Sequence, residues 1–512
     1  MKSKKMFFAI FILILSQYAF AYSLQSRLTN VISSRFNMQR IDSIFQHFLP
    51  RDGVIQLSES INEFTCDGVT DVPLIECEAL VAFYTSTNGA NWYNNEGWLT
   101  RNEVGTWFGV KVESNHVTEL YFPLENNISG FLPPELGSLS ELILLAVSNN
   151  PITGVIPEEL GNLTNLQQLY IWETSISGTV PLSLGNLSNL EHLGLSNNGL
   201  TGTIPSSFGN LTNIRSIMLH DNQLSGSIPP ELGNLLRLDT LSLSRNSITG
   251  SIPSELGNTA LQMLWLNENQ LSGSIPSQLG SIITLSDLDL SHNQLSGEIP
   301  PLITSPLHSS FHIDLSYNML TGSIPPEFGY LPSSSSIDLS HNSLSGNIPE
   351  ELGTLGGQIE VIDFSYNQLS GNIPSELGNI TVLRKINFSN NYLEGVIPRE
   401  LGQLVDLYDV DLSYNQLTSS IPEEIGSLVN LLNLNLSHNR LSGDVPASFT
   451  NLERLCVAGN QPGWCYYNED TDIGYNQLNV PAPEPPASFL AEKDPDWDLT
   501  QFRYIFLPIL VR

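Results

Sequence analysis

The chain is 512 residues long and carries 20 lysines and arginines against 52 aspartates and glutamates, for a formal net charge of -32. So negative a field disfavours nucleic acid, heparin-like polymers and anionic membrane surfaces as partners. A cationic protein surface, a neutral glycan or divalent cations suit it better.

Residues 1–21 read as a secretory signal peptide: Lys2, Lys4 and Lys5, an apolar run from Met6 to Leu15, then Ala19-Phe20-Ala21 as a small-residue cleavage site. The run is shorter than the ~20 residues of a spanning helix, and no later stretch is long enough, so a secreted chain with no membrane span is expected. Residues 22–65 hold no repeat. There Ile41, Ile44, Phe45 and Phe48 fall at helical spacing, which predicts a short helical leader of unassigned role. Residues 66–118 are rich in tryptophan, with Trp92, Trp98 and Trp107, and are expected to cap the apolar face that the first unit of a repeat array leaves open.

From residue 119 to 455 the word N-x-L-x-G-x-I-P returns about every 24 residues, from Asn126 to Asn439, in fourteen copies. A period of this size means stacked supersecondary units, each unable to bury its own apolar face. The fold class is therefore an α/β-type repeat solenoid. Proline stands seven residues after every index position, and glycine four after each except Ser419. In Leu285-Ser286-Asp287-Leu288-Asp289-Leu290, period-two alternation predicts a short strand with Leu288 and Leu290 inward and the aspartates outward. Asn293 then turns the chain, its amide serving backbone groups that no strand or helix satisfies, and stacked copies make an asparagine ladder that Thr174 interrupts. Gly297 predicts a positive φ, and Pro253-Ser254-Glu255-Leu256-Gly257 is too short for an α-helix and suits a 3₁₀ turn.

The last word degrades at Leu455-Cys456-Val457-Ala458-Gly459-Asn460, and residues 456–480 are read as a C-terminal cap. A proline-rich linker, 481–497, and an apolar tail, 498–512, follow; the tail is too short to cross a bilayer. Four cysteines in a secreted chain imply two disulfides. Cys66 and Cys77 precede the repeats, Cys456 and Cys465 follow them, and thirteen rung intervals of ~4.8 Å separate the pairs by ~60 Å. Bridges are thus expected within each pair.

The full pattern, L-x-x-L-x-L-x-x-N-x-L-x-G-x-I-P-x-x-L-G-x-L, resembles the plant-specific class of extracellular leucine-rich repeats found in receptor-like kinases, receptor-like proteins and polygalacturonase inhibitors. The stretch from Glu78-Ala79-Leu80 through Asn91-Trp92 to Trp98-Leu99 is similar to the amino-terminal cap of this class, especially in secreted bacterial proteins. The plant cap pairs cysteines around W-x-G-V, whereas this chain reads Thr106-Trp107-Phe108-Gly109-Val110, so a cap disulfide must lie upstream. The resemblance implies a right-handed curved superhelix with a concave parallel sheet, a 3₁₀ or irregular convex side, and a role in protein or glycan recognition.

Outward strand positions are where such a surface would bind. In the early rungs they include Gln168, Tyr170, Trp172, His192, Met218, His220, Met263 and Trp265, residue types that dominate recognition hot spots, and these are the candidate ligand-binding residues. In later rungs Asp289, Asp314, Asp338, Asp363 and Asp411 recur and read as family consensus on a solvated face in preference to a cation site. Histidines 292 and 341 share a repeat position two rungs, ~10 Å, apart, too far to share a zinc. No metalloprotease, nucleophile-elbow or phosphate-loop word is present, so neither catalysis nor a cofactor is expected. The chain reads as a secreted, receptor-like, non-enzymatic protein that binds a protein or polysaccharide; an inhibitor of a secreted hydrolase and a cell-surface adhesive or structural protein are the alternatives.

Overall fold

The computed structural model describes residues 64–100, 103–122, 125–301, 312–331, 336–356, 359–456 and 471–479. The expected signal peptide, the expected leader up to residue 63, Cys465, and the expected linker and tail lie outside the described residues. The chain divides into units 1–63 and 64–512, and the architecture below is that of the second.

It opens with a cap built on one helix, α1 (Leu74–Ser86), and an antiparallel pair, β1 (Val110–Glu113) and β2 (His116–Tyr121). The Cys66–Cys77 disulfide ties the entering chain to α1. The aromatic rings fill the space between: Phe83 touches Trp92, Trp98 and Phe122, and Trp98 also packs on Trp107. Their polar edges are satisfied, Trp92 Nε1 donating to the Thr87 carbonyl at 2.9 Å and Trp98 Nε1 to that of Phe108 at 2.8 Å. Buried Glu76 fixes α1 to β2 by accepting from His116 Nδ1 at 2.6 Å and the Val117 amide at 2.8 Å. That carboxylate holds the half-buried His116 imidazole above its ordinary pKa.

β2 then pairs in parallel with Leu144–Ala146, and one strand per rung extends this into a 15-stranded sheet ending at Asn433–Asn435. Leucines and isoleucines alternating along each strand are fully buried, for example Leu264, Leu266, Leu288 and Leu290. On the opposite side the rungs whose turn segment is described carry a 3₁₀ turn such as Ser254–Asn258, as the Pro-x-x-Leu-Gly segment predicts, and the G-x-I-P words form shorter parallel sheets of seven, six and two strands.

The asparagine ladder does the backbone accounting. Asn391 Nδ2 donates to the carbonyls of Phe364, Phe388 and Ser389 at 2.9, 3.2 and 3.2 Å, while its Oδ1 accepts the Leu369 amide at 2.9 Å. At Thr174 the pattern changes: its hydroxyl donates to Asn198 Oδ1 at 2.5 Å and accepts from its own rung's Ile176 at 3.2 Å. The Ile152 amide, which an asparagine at 174 would receive, turns to the Asn150 carbonyl instead.

Two glycine positions fix how closely rungs stack. Gly297 has φ +80, as its position predicts, and Ser419, which replaces this glycine in one rung, is held at φ +66. The glycine of the 3₁₀ turn faces the next rung's backbone: a Cβ on Gly209 would lie 2.6 Å from Glu231 Cβ and 2.7 Å from its carbonyl oxygen. Thr450 occupies this position in the last 3₁₀ turn, Ala447–Asn451, and is exposed.

The segment expected to be a simple cap resumes the repeat. Asp472 bridges Asn435 in parallel, Gln477–Leu478 pairs with Arg440–Gly443, and Asn476 takes a fifteenth ladder place, accepting the Leu441 amide at 3.0 Å. It lies 37 residues after Asn439, so the 24-residue period does not reveal it. Cys456 is disulfide-bonded, and its expected partner, Cys465, lies outside the described residues.

Candidate functional site

The strand register places the sequence-derived candidates on one face. Gln168, His192, Ser216, Thr240 and Met263 are successive partners in one column. Tyr170, Gly194, Met218, Ser242 and Trp265 form the next. Trp172 and His220 follow two residues along their own strands, beyond Tyr170 and Met218.

Bulky and small residues alternate from strand to strand along the second column. Tyr170 lies over Gly194, where an added Cβ would come within 2.9 Å of the tyrosine ring and 3.5 Å of Trp172. Ser242 is only 1% exposed between Met218 and Trp265, and its hydroxyl pairs with His220 Nδ1 at 3.0 Å. The sequence suggested exposed aromatics; instead Gln168, Tyr170, Trp172, His192, Met218, His220, Met263 and Trp265 are all half-buried. The cause is this corrugation, which lets each large side chain lean over a small neighbour ~4.8 Å away. Gly194, Ser216, Thr240 and Ser242 are the floor residues that side-chain identity alone did not flag.

Electrostatics follow from the burial. Desolvation pushes the Tyr170 phenol up to about 12 and lowers both His192 and His220, so the face presents neutral imidazoles at neutral pH. Asp239, beside His192, is raised chiefly by burial. The Ser216 hydroxyl is buried with no protein partner. Arg245 binds Glu268 at 2.8 Å and approaches Asp221 at 3.6 Å, so the rim cation is already matched.

Beyond Trp265 the same column becomes Asp289, Asp314, Asp338 and Asp363. From Asn150 onward the residue before each ladder position sits at left-handed φ, and there His292, Tyr317, His341 and Tyr366 stack in sequence at 4.2, 4.0 and 4.2 Å between ring centres. Asn390 interrupts the column, which resumes as Tyr414, His438 and Tyr475. The sequence showed the alternation of His-Asn and Tyr-Asn words, but only the histidines drew notice. Among the described residues no group of three or more His, Cys, Asp or Glu side chains is placed to hold a metal ion. On the flank, an open groove of about 960 Å³ is lined by Ser227, Ser251, Ser274 and neighbouring prolines, with Glu255 as its one ionisable side chain. No described helix is long and apolar enough to cross a membrane.

A leucine-rich repeat region model matches residues 127–263, and the Leucine Rich Repeat model matches eight units between 260 and 452. No curated protein matches the chain. Among solved structures, the plant peptide hormone receptor RGFR1 in complex with RGF2 is 39% identical with a TM-score of 0.63, the match covering 69% of this chain and 54% of that one. This chain thus spans about half the length of that receptor. The Arabidopsis receptor kinase HAESA, in complex with the peptide hormone IDA and the co-receptor SERK1, is 30% identical over 72% of this chain and 67% of that one, with a TM-score of 0.54. A leucine-rich-repeat protein of Leptospira interrogans is 27% identical over 73% and 88%, also at 0.54.

Proposed function

Because the chain belongs to the leucine-rich-repeat family, in its plant-type extracellular form, we propose that it is a secreted, non-enzymatic binding protein that recognises a protein ligand on the corrugated face. The observation that carries this reading is the alternation of Tyr170 and Trp172, Met218 and His220, and Trp265 with the small Gly194 and Ser242. It leaves large tyrosine, tryptophan, methionine and histidine side chains half-open to solvent over a small-residue floor, and tyrosine and tryptophan dominate binding hot spots. RGFR1 and HAESA, each solved with a peptide hormone, support a peptide or protein over a polysaccharide. Acid–base chemistry is disfavoured because the serine hydroxyl that meets a histidine on this face, Ser242 Oγ with His220 Nδ1 at 3.0 Å, belongs to a residue only 1% exposed and is closed to a substrate.

The test compares wild-type protein with the double variant Tyr170→Ala, Trp265→Ala, immobilised and exposed to extracellular proteins and, separately, to cell-wall polysaccharides. Loss of protein binding by ten-fold or more is expected. Undiminished protein binding by the variant, or retention of polysaccharide alone by the wild type, would sink the assignment.

A further inference from the structure

On strands Asp287–Asp289, His312–Asp314, Ser336–Asp338 and Val361–Asp363, the residues Asp289, Asp314, Asp338 and Asp363 are mutual register partners. Adjacent strands stand ~4.8 Å apart, so four carboxylates repeat at that interval along a half-buried sheet face. Each uses Oδ1 to accept the backbone N–H of the serine two residues on: Ser291 at 3.0 Å, Ser316 at 2.9 Å, Ser340 at 2.9 Å and Ser365 at 3.1 Å. Those bonds orient the groups without adding a full positive charge. The charged and titratable groups facing the column are Asp287 and His312 on the same face, His292, Tyr317, His341 and Tyr366 in the edge stack, and Lys385. Lys385 is engaged by Asp409 at 3.2 Å. Asn387 Nδ2 closes the far end on Asp363 Oδ2 at 3.0 Å.

We propose that these four strands form a proton-gated section of the solenoid, closed in mild acid and loosened as the column ionises. Burial, then the Asp314 charge, pushes Asp289 up to about 6; burial, then Asp314 and Asp363, pushes Asp338 up to about 7. An unfolded aspartate titrates near ~3.9, so the folded column holds protons more tightly than the open one. Its stabilisation is complete below about pH 4 and is lost as pH rises through 6 and 7. Because a repeat array contacts only its neighbours, the loss is local, which is what makes this a gate and not a property of the whole chain.

The bonds that would open are on the same strands: Leu290 N–H to the Asp314 carbonyl at 2.9 Å, Leu315 to Asp338 at 2.9 Å and Leu339 to Asp363 at 2.8 Å. Their counterparts without carboxylates are Leu195 to Met218 at 2.9 Å and Leu219 to Ser242 at 2.8 Å. Hydrogen exchange on the full chain at pH 5 and pH 8, expressed as protection factors, reads both sets in one sample. Protection at Leu290, Leu315 and Leu339 is expected to fall on the order of 100-fold between the two conditions while Leu195 and Leu219 hold. Asp314→Asn together with Asp338→Asn keeps the Oδ1 acceptors, removes the Asp338 titration and the charge beside Asp289, and is expected to shrink the fall to about ten-fold or less, the burial of Asp289 accounting for what remains. An equal fall at Leu195 and Leu219 would assign it to overall charge, and an unchanged fall in the variant would clear the column; either overturns the proposal, as does no fall at all.

Discussion

Asn391→Ala isolates one step of the asparagine ladder. The side chain is 5% exposed and makes four bonds at 2.9–3.2 Å, three as donor to Phe364, Phe388 and Ser389 and one as acceptor from Leu369. Each such bond contributes about 0.5–1.5 kcal/mol net, and an abandoned buried amide costs about 1–3 kcal/mol, so the truncation should destabilise by about 3–5 kcal/mol. The complementary change is Thr174→Asn, which offers the Ile152 amide the ladder acceptor found in other rungs in place of the Asn150 carbonyl and should stabilise its rung by about 1 kcal/mol. Because a long repeat array need not unfold in one step, the readout is exchange of the Leu369 and Ile152 amides alongside urea unfolding. A loss below about 1 kcal/mol at Asn391, no larger than an ordinary surface change, would mean that the turn satisfies itself and the ladder is ornamental.

Two further substitutions test the glycine positions. Gly209→Ala forces a Cβ to 2.6 Å from Glu231 Cβ and should cost about 1–3 kcal/mol in urea unfolding; an unchanged midpoint would refute the close-stacking account. Ser419→Gly relieves a φ of +66 and should raise the urea midpoint by about 1 kcal/mol equivalent at unchanged slope, and a lower midpoint would show that Ser419 is held by something other than strain.

Most of the architecture is written in local periodicities, which is why it could be read from residues alone. The alternation of Leu288 and Leu290 with Asp287 and Asp289 fixes the strand, Pro253 to Gly257 fixes the 3₁₀ turn, and the recurrence of asparagine fixes the register. The columns of the candidate face follow from the same register. What stayed hidden depends on neighbours 24 residues away. Tyr170 is half-buried because Gly194 lies beneath it, and Ser242 disappears because Met218 and Trp265 flank it. Asp338 shares the spacing of any consensus aspartate, and its burial in the stack, with the carboxylates on both sides adding to it, gives it an unusual affinity for protons. Asn476 escaped for a different reason: an insertion between Asn439 and Asn476 destroys the period while leaving the bonding pattern intact.

The turn-side glycines have a consequence for assembly that reaches past any single rung. A column of near-identical storeys is at risk of accepting another molecule's first storey on its last, and contacts of that head-to-tail kind do not close but grow into fibres. Close approach at the seam asks for bare backbone, since a β-carbon on Gly209 would lie 2.6 Å from the neighbouring storey, so a methyl-bearing residue at that place on an outermost storey acts as a doorstop.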